Sequence, residues 1–225
     1  MPSTIRVMAK PGNPRNPSGK KHKFGKVWMR EHLTDHWVQE AQRLGYRSRA
    51  AFKLIELAEK DHLLRPGMTV VDLGSAPGSW CQVLRTRLGP SARIVAIDLL
   101  PMEPLVGVDF IEADFREEAG LSALAARLGE RQVDLVLSDL APNLSGIASA
   151  DQARSVHLGE LALDFASRWL QPGGDIVVKA FQGGGFPEFQ RLMQSQFTKV
   201  YARKPDASRD RSREVYLVGK GRVVS

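Results

Sequence analysis

The sequence predicts an α/β fold in which helices flank a doubly wound, mostly parallel sheet. Three observations carry this expectation. Short, β-branched apolar runs recur along the 225 residues, each bounded by turn residues. Segments with apolar positions three and four apart fall between most of them. The first apolar run ends in an acid and passes through a glycine-rich turn into a helix-like segment.

In chain order, residues 1–26 mix Pro, Gly, Ser and Asn with Lys and Arg and show no hydrophobic period, so they read as a flexible basic arm. The rest, 27–225, reads as a single domain. Helical spacing appears around Trp37, Ala41 and Leu44. It returns with Ser48 as N-cap and Ala51, Phe52, Ile55 and Ala58 on one face. Strands are expected at Met68–Leu73, Ala92–Ile97, Val106–Ile111, Val133–Leu137 and Asp175–Ala180. Helices are expected at Trp80–Leu88, Glu117–Leu128 and Asp151–Leu170. Strands alternating with helices imply parallel pairing. Two last runs, Thr198–Ala202 and Glu214–Val218, are joined by a polar, basic loop, which predicts an antiparallel pair at one sheet edge.

Composition excludes several classes of protein. With 43% hydrophobic and 25% charged residues the chain has ample material for a core, unlike a disordered or collagen-like chain. One cysteine, Cys81, permits neither an intrachain disulfide nor a cysteine-based zinc site. No apolar run reaches the roughly 18 residues of a membrane span. No secretory-type apolar stretch occurs either, and Pro11, Gly12, Pro14 and Pro17 would break the amphipathic helix of an organelle transit peptide. A cytoplasmic protein is therefore expected.

The net charge of +7 is unevenly distributed. Residues 1–30 carry +8 with no acid, residues 31–198 carry −6, and residues 199–225 carry +5. Positive ends on a moderately acidic body suit a polyanionic partner, nucleic acid being the obvious one.

The chemistry concentrates at the predicted carboxyl ends of the strands. Asp72-Leu73-Gly74-Ser75-Ala76-Pro77-Gly78 has the spacing D-x-G-x-x-x-G, which differs from the dinucleotide pattern and disfavours a nicotinamide oxidoreductase. Asp98 ends the next strand, where an acid accepts hydrogen bonds from ribose hydroxyls. Asp114 follows the third strand and is placed to meet an adenine edge. The fourth strand ends in Ser138-Asp139-Leu140-Ala141-Pro142-Asn143, the last two residues at the mouth of the site. The fifth carries Lys179 in an otherwise apolar stretch, unusual for a lysine without a task. Phe181 and Tyr216 read as core residues. None of the five histidines falls in a metal-ligand pattern or beside a nucleophile, so no metal is expected.

Taken together, Tyr46 to Leu54, Asp72 to Trp80, Ser138 to Asn143, Val178 to Phe181 and Ser212 to Tyr216 resemble the FtsJ/RrmJ family of ribose 2′-O-methyltransferases, in family order and over about residues 28–218. The resemblance implies a Rossmann-like methyltransferase fold with S-adenosyl-L-methionine as cofactor and S-adenosyl-L-homocysteine as product. It implies a Lys-Asp-Lys-Glu tetrad on Lys53, Asp139, Lys179 and Glu214. It also implies cofactor contacts at Gly78, Trp80, Asp98, Asp114 and Asp139, Trp80 through its backbone if its side chain is core.

Within the family the likeness is to bacterial members that methylate a uridine ribose in large-subunit ribosomal RNA. The implied partner is ribosomal RNA or the large ribosomal subunit, met by the arm and the loop Lys204 to Arg213, and a monomer is expected. In the implied roles Lys179 is the base, Asp139 positions it, and Lys53 and Glu214 hold the ribose. A lysine acts as a base only once unprotonated, which burial and nearby cations favour and Asp139 opposes; stabilising a developing alkoxide is the other role open to it. Two alternatives stay open: a transfer RNA ribose methyltransferase of the same family, and a non-catalytic RNA-binding assembly factor.

Overall fold

The structure, a computed structural model, describes residues 35–143, 145–209 and 212–223. The expected arm, 1–26, lies outside the described residues, as do Leu144, Asp210 and Arg211.

Among the described residues seven strands form one sheet: β1 (Thr69–Leu73), β2 (Arg93–Asp98), β3 (Val108–Glu112), β4 (Val133–Ser138), β5 (Leu170–Phe181), β6 (Phe197–Arg203) and β7 (Glu214–Arg222). Their order is β3-β2-β1-β4-β5-β7-β6. The first five pair in parallel, whereas β7 runs antiparallel to both β5 and β6. The expected antiparallel pair therefore does close the edge, with β7 inserted between β5 and the outermost strand. The helices are α1 (His36–Arg43), α2 (Ala50–Asp61), α3 (Ser79–Leu88), α4 (Glu118–Leu128), α5 (Ala148–Trp169) and α6 (Phe186–Gln196).

Period-two alternation along the strands divides the core into two layers. Val71, Leu73, Val95, Ile97, Val136, Ile176, Val178 and Leu217 pack with Leu124 and Leu128 of α4, Ala162, Leu163 and Ala166 of α5, and Phe189 and Met193 of α6. Val70, Ile94, Ala96, Leu135, Leu137, Val177, Tyr216 and Val218 pack instead with Ala51, Leu54 and Leu57 of α2 and Trp80, Val83 and Leu84 of α3. The alternation decides where function goes. Lys179 shares its parity with Val177, and Glu214 with Tyr216, so both belong to the face covered by α2, the helix that carries Lys53.

The elements depart from expectation at the start of β3, at the cap of α2 and in one added helix. β3 starts at Val108, because Val106 is 93% exposed and Gly107 turns the chain at φ +78°. Ser48, expected as the N-cap of α2, lies one residue further out: Arg49 takes the cap position with no side-chain cap hydrogen bond, while Ser48 Oγ accepts from the Ala50 amide at 3.2 Å and lies 2.6 Å from Ser79 Oγ at the start of α3. Helix α6 had no counterpart among the expected elements. It buries Phe189 and Met193, and Gly159 of α5 admits it closely, since a Cβ there would lie 2.8 Å from the Phe189 ring.

Candidate active site

A cavity of about 800 Å³ opens where β1, β2, β3, β4 and β5 end, the position at which open parallel sheets bind ligands. The β1 turn forms its floor with Gly74 and Ala76. Gly74 adopts φ +81°, and a Cβ there would stand 3.0 Å from the Leu140 amide nitrogen, so this turn and the loop after β4 approach as closely as two backbones allow. Leu99, Leu100 and Phe115 supply apolar wall, while Pro142 and Asn143, with Arg154 and His157 of α5, line it on the β4 side.

Three of the five expected cofactor contacts line this cavity: Asp98, Asp114 and Asp139. Asp98 is pinned by main chain, its Oδ2 accepting from the Ala76 amide and its Oδ1 from the Leu100 amide, both at 2.8 Å. One carboxylate thus ties the β1 turn to the loop after β2. Asp114 accepts from the Arg116 guanidinium at 2.6–3.2 Å and from the Arg116 amide at 2.9 Å. The side-chain hydrogen bonds from Arg116 hold the carboxyl below its ordinary range, so it presents a fixed anion at neutral pH.

Gly78 and Trp80 are placed differently, outside the cavity lining. The Trp80 side chain is 3% exposed and its indole N–H donates to the Ala50 carbonyl at 2.8 Å, so it ties α3 to α2 from within the core. Gly78, at φ +103°, makes room for another residue: a Cβ would stand 2.6 Å from Arg47 Nη1. The Arg47 guanidinium donates to the carbonyls of Pro77, Glu103 and Pro104 at 2.7–3.1 Å, stitching the β1 turn to the loop before β3. Sequence alone places Gly78 and Trp80 at the right turn without revealing that their side-chain positions serve packing.

The four tetrad residues converge. Lys53 of α2 meets Glu214 at the start of β7, Nζ to Oε1 at 2.6 Å, with both side chains only 12–13% exposed. Lys179 of β5 donates to the main-chain oxygen of Asp139 at 2.5 Å and lies 3.2 Å from Asp139 Oδ1. Asp139 and Lys179 line the cavity, so this half of the expected tetrad faces it.

Two residues missed by the sequence reading join these pairs. Tyr216, fully buried, donates its hydroxyl hydrogen to Asp139 Oδ1 at 2.7 Å and receives Lys53 Nζ at 3.3 Å. Ser208 donates to Glu214 Oε1 at 3.1 Å. The loop bearing Ser208 is less free than its polar composition suggests. Ala207 and Ser208 are buried, Arg49 donates to the Ala207 carbonyl, and the Asp206 amide donates to Glu56 of α2 at 2.7 Å. Within the loop Lys204 also donates to the Ser212 carbonyl, at 3.0 Å.

The residues fit a cationic nucleoside cofactor. Three carboxylates line one cavity, and Asp72 Oδ1 and Ser75 Oγ in the β1 turn region are buried with no hydrogen-bond partner among the described residues. Buried polar atoms seldom stay unpaired, which suits a site whose polar partners arrive with a ligand or water. Burial is the chief cause that raises the Asp72 carboxyl to about 7; the Cys81 thiol, 3.2 Å from its Oδ2, opposes the rise, and the Asp139 and Asp98 charges add to it.

Comparison with known proteins agrees with this geometry. Residues 46–222 match the family of FtsJ-like methyltransferases. The chain is 60% identical over 200 residues to the ribosomal RNA large subunit methyltransferase E of Azoarcus sp., covering 89% of this chain and 98% of that one. It is likewise 60% identical over 194 residues to the protein of the same name from Alkalilimnicola ehrlichii, covering 86% and 93%. Among solved structures, a Plasmodium falciparum protein described as a ribosomal RNA methyltransferase superposes with a TM-score of 0.71 at 31% identity, covering 80% of this chain and all of that one. On the match from Tyr46 to Arg222 and on these identities, the chain belongs to the FtsJ-like methyltransferase family.

Proposed function

We propose that this methyltransferase uses S-adenosyl-L-methionine to methylate the 2′-hydroxyl of a uridine ribose in large-subunit, 23S-type ribosomal RNA, within the assembled or maturing subunit. The observation that carries the reading is the convergence of Lys53, Asp139, Lys179 and Glu214, joined through Tyr216, with Asp139 and Lys179 lining the same cavity as Asp98 and Asp114. The names of the 60%-identical relatives support the ribosomal substrate. The enzyme would act in the cytoplasm, as a monomer, with no metal.

The cofactor, when bound, supplies an electrophilic methyl group on a sulfonium. Asp98 is the acid for its ribose hydroxyls, Asp114 for the adenine edge, and Asp139 provides negative charge at the tetrad end of the cavity. The chain's remaining task is to hold a ribose hydroxyl in line with that methyl group and to take its proton. Alignment is worth about 7–11 kcal/mol at best, and a general base contributes typically 10²- to 10⁴-fold.

Lys179 is built for the second part. An uncharged amine has two N–H bonds and one lone pair. The Asp139 carbonyl and carboxylate occupy two directions around Nζ, so the lone pair remains for the ribose hydroxyl. Asp139 therefore orients Lys179, and the product ammonium finds a counter-charge already in place. Lys53 and Glu214 hold each other beside this pair and offer a donor and an acceptor to the ribose.

Mapping ribose methylation across total RNA with and without the gene tests the reading. One lost 2′-O-methyl mark, on a uridine of large-subunit ribosomal RNA, is the expected result. Loss confined to transfer RNA would transfer the assignment to that substrate, and no lost mark with no calorimetric response to the cofactor would favour a non-catalytic assembly factor.

A further inference from the structure

We infer that Tyr216 is a positioning residue for methyl transfer: its hydroxyl fixes the direction of hydrogen bonding from Lys53 to Asp139 and shares the Asp139 oxygen that Lys179 also approaches. The inference rests on the proposed reading of the tetrad and adds a residue to it.

Two carboxylates, Asp139 and Glu214, face the Tyr216 hydroxyl, and the short contact is to Asp139. Its ring lies in the core beside Trp80, at a centroid separation of 5.9 Å, and the residue is fully buried. A phenol has a single O–H to give. Asp139 Oδ1, at 2.7 Å, is an acceptor, so that hydrogen goes to Asp139. Lys53 Nζ, at 3.3 Å, is a donor, so the phenol oxygen accepts from it. The charged groups facing the hydroxyl are Lys53 on α2, Asp139 after β4 and Glu214 on its own strand; burial, then the Asp139 and Glu214 charges, push the phenol well above its ordinary value and keep it a neutral donor. Lys179 faces Tyr216 across the β5–β7 register and lies 3.2 Å from the same Oδ1.

The consequence is chemical. Asp139 Oδ1 serves two donors, so Tyr216 and Lys179 share one acceptor and the phenol limits the directions left to the amine. The same hydroxyl couples the Lys53–Glu214 half of the tetrad to the Lys179–Asp139 half. A Tyr216→Phe protein keeps the ring and its packing while leaving Asp139 to Lys179 alone.

The test compares wild type, Y216F, D139N and the double variant by single-turnover methylation of ribosomal particles, cofactor calorimetry and thermal unfolding. Y216F is expected to lower kcat by roughly 10- to 100-fold, the range of one hydrogen bond to a charged group. KM for RNA and cofactor affinity should stay within about twofold, so that the loss falls on kcat. In the D139N background, Y216F should cost less than threefold more. Unchanged kcat in Y216F would overturn the inference while leaving the parent reading intact. Full additivity with D139N, or losses of cofactor binding and thermal stability that account for the lost rate, would overturn it too. A wild-type protein that methylates no RNA ribose would overturn both.

Discussion

Lys179 Nζ sits 2.5 Å from the main-chain oxygen of Asp139 and 3.2 Å from its Oδ1, so one residue supplies both acceptors that orient the amine. The β4–β5 register produces this arrangement. Ser138 pairs with Val178, which brings the next residue of each strand to the same sheet end. Replacing Lys179 with methionine keeps an unbranched apolar stem and removes the amine. The expected outcome is a fall in turnover of roughly 10²- to 10⁴-fold with calorimetric cofactor affinity nearly unchanged. Near-normal turnover by K179M would show that Lys179 is not the base.

The other half of the tetrad makes a prediction about stability. Lys53 and Glu214 are 2.6 Å apart and mostly shielded from water, so removing one leaves the other poorly compensated. K53M should destabilise the fold by about 2–3 kcal/mol, softened by Ser208, which still donates to Glu214. Removing both charges in K53M/E214L should cost at least about 1 kcal/mol less than the two single losses added. Urea unfolding of the four proteins measures the coupling, and simple additivity would mean that the pair contributes nothing as a pair.

Asp72 gives the pH dependence. Its native carboxyl titrates at about 7 against an ordinary 3.8, so between those values the native state holds a proton that the unfolded chain has lost. The stability contributed by this group is complete below about pH 4 and is lost as pH rises through 7. At 1.36 kcal/mol per unit the full swing is on the order of 4 kcal/mol. Asp72→Asn keeps the shape and an acceptor for Cys81 without a titrating group. Relative to D72N, the cofactor-free wild type should therefore lose stability between pH 4 and pH 8, as read by urea unfolding at each pH. Parallel curves for the two proteins would mean that Asp72 is ionised throughout.

The sheet was legible because its strands are short and β-branched, and because a buried parallel sheet tolerates little else. The acids and lysines at the strand ends were legible because such residues rarely sit there without a partner. Tyr216 was not, since an aromatic residue within Val215-Tyr216-Leu217-Val218 looks like core, and it is core; only coordinates show where its hydroxyl ends. Trp80 hid the opposite fact, a motif residue whose side chain braces α2 against α3. Helix α6 was obscured by Gly183, Gly184, Gly185 and Pro187 at its start, which read as loop although glycine and a first-turn proline suit a helix N-terminus.

Separation of charge along the chain makes the last prediction. The first 26 residues hold seven lysines and arginines and no acid, whereas the candidate cofactor site is built from Asp98, Asp114 and Asp139 at the carboxyl ends of the strands. Each phosphate neutralised adds about 0.7–0.9 to the slope of log affinity against log salt. Deleting residues 1–26 should therefore weaken RNA binding and flatten its salt dependence, by an amount that counts the phosphates the arm contacts. Cofactor affinity should be nearly unaffected, because every described residue that lines the cavity is kept. Filter binding across a salt series, with cofactor calorimetry on the same preparations, separates the two. Equal losses in both would mean that the arm supports the fold of the body instead of meeting RNA.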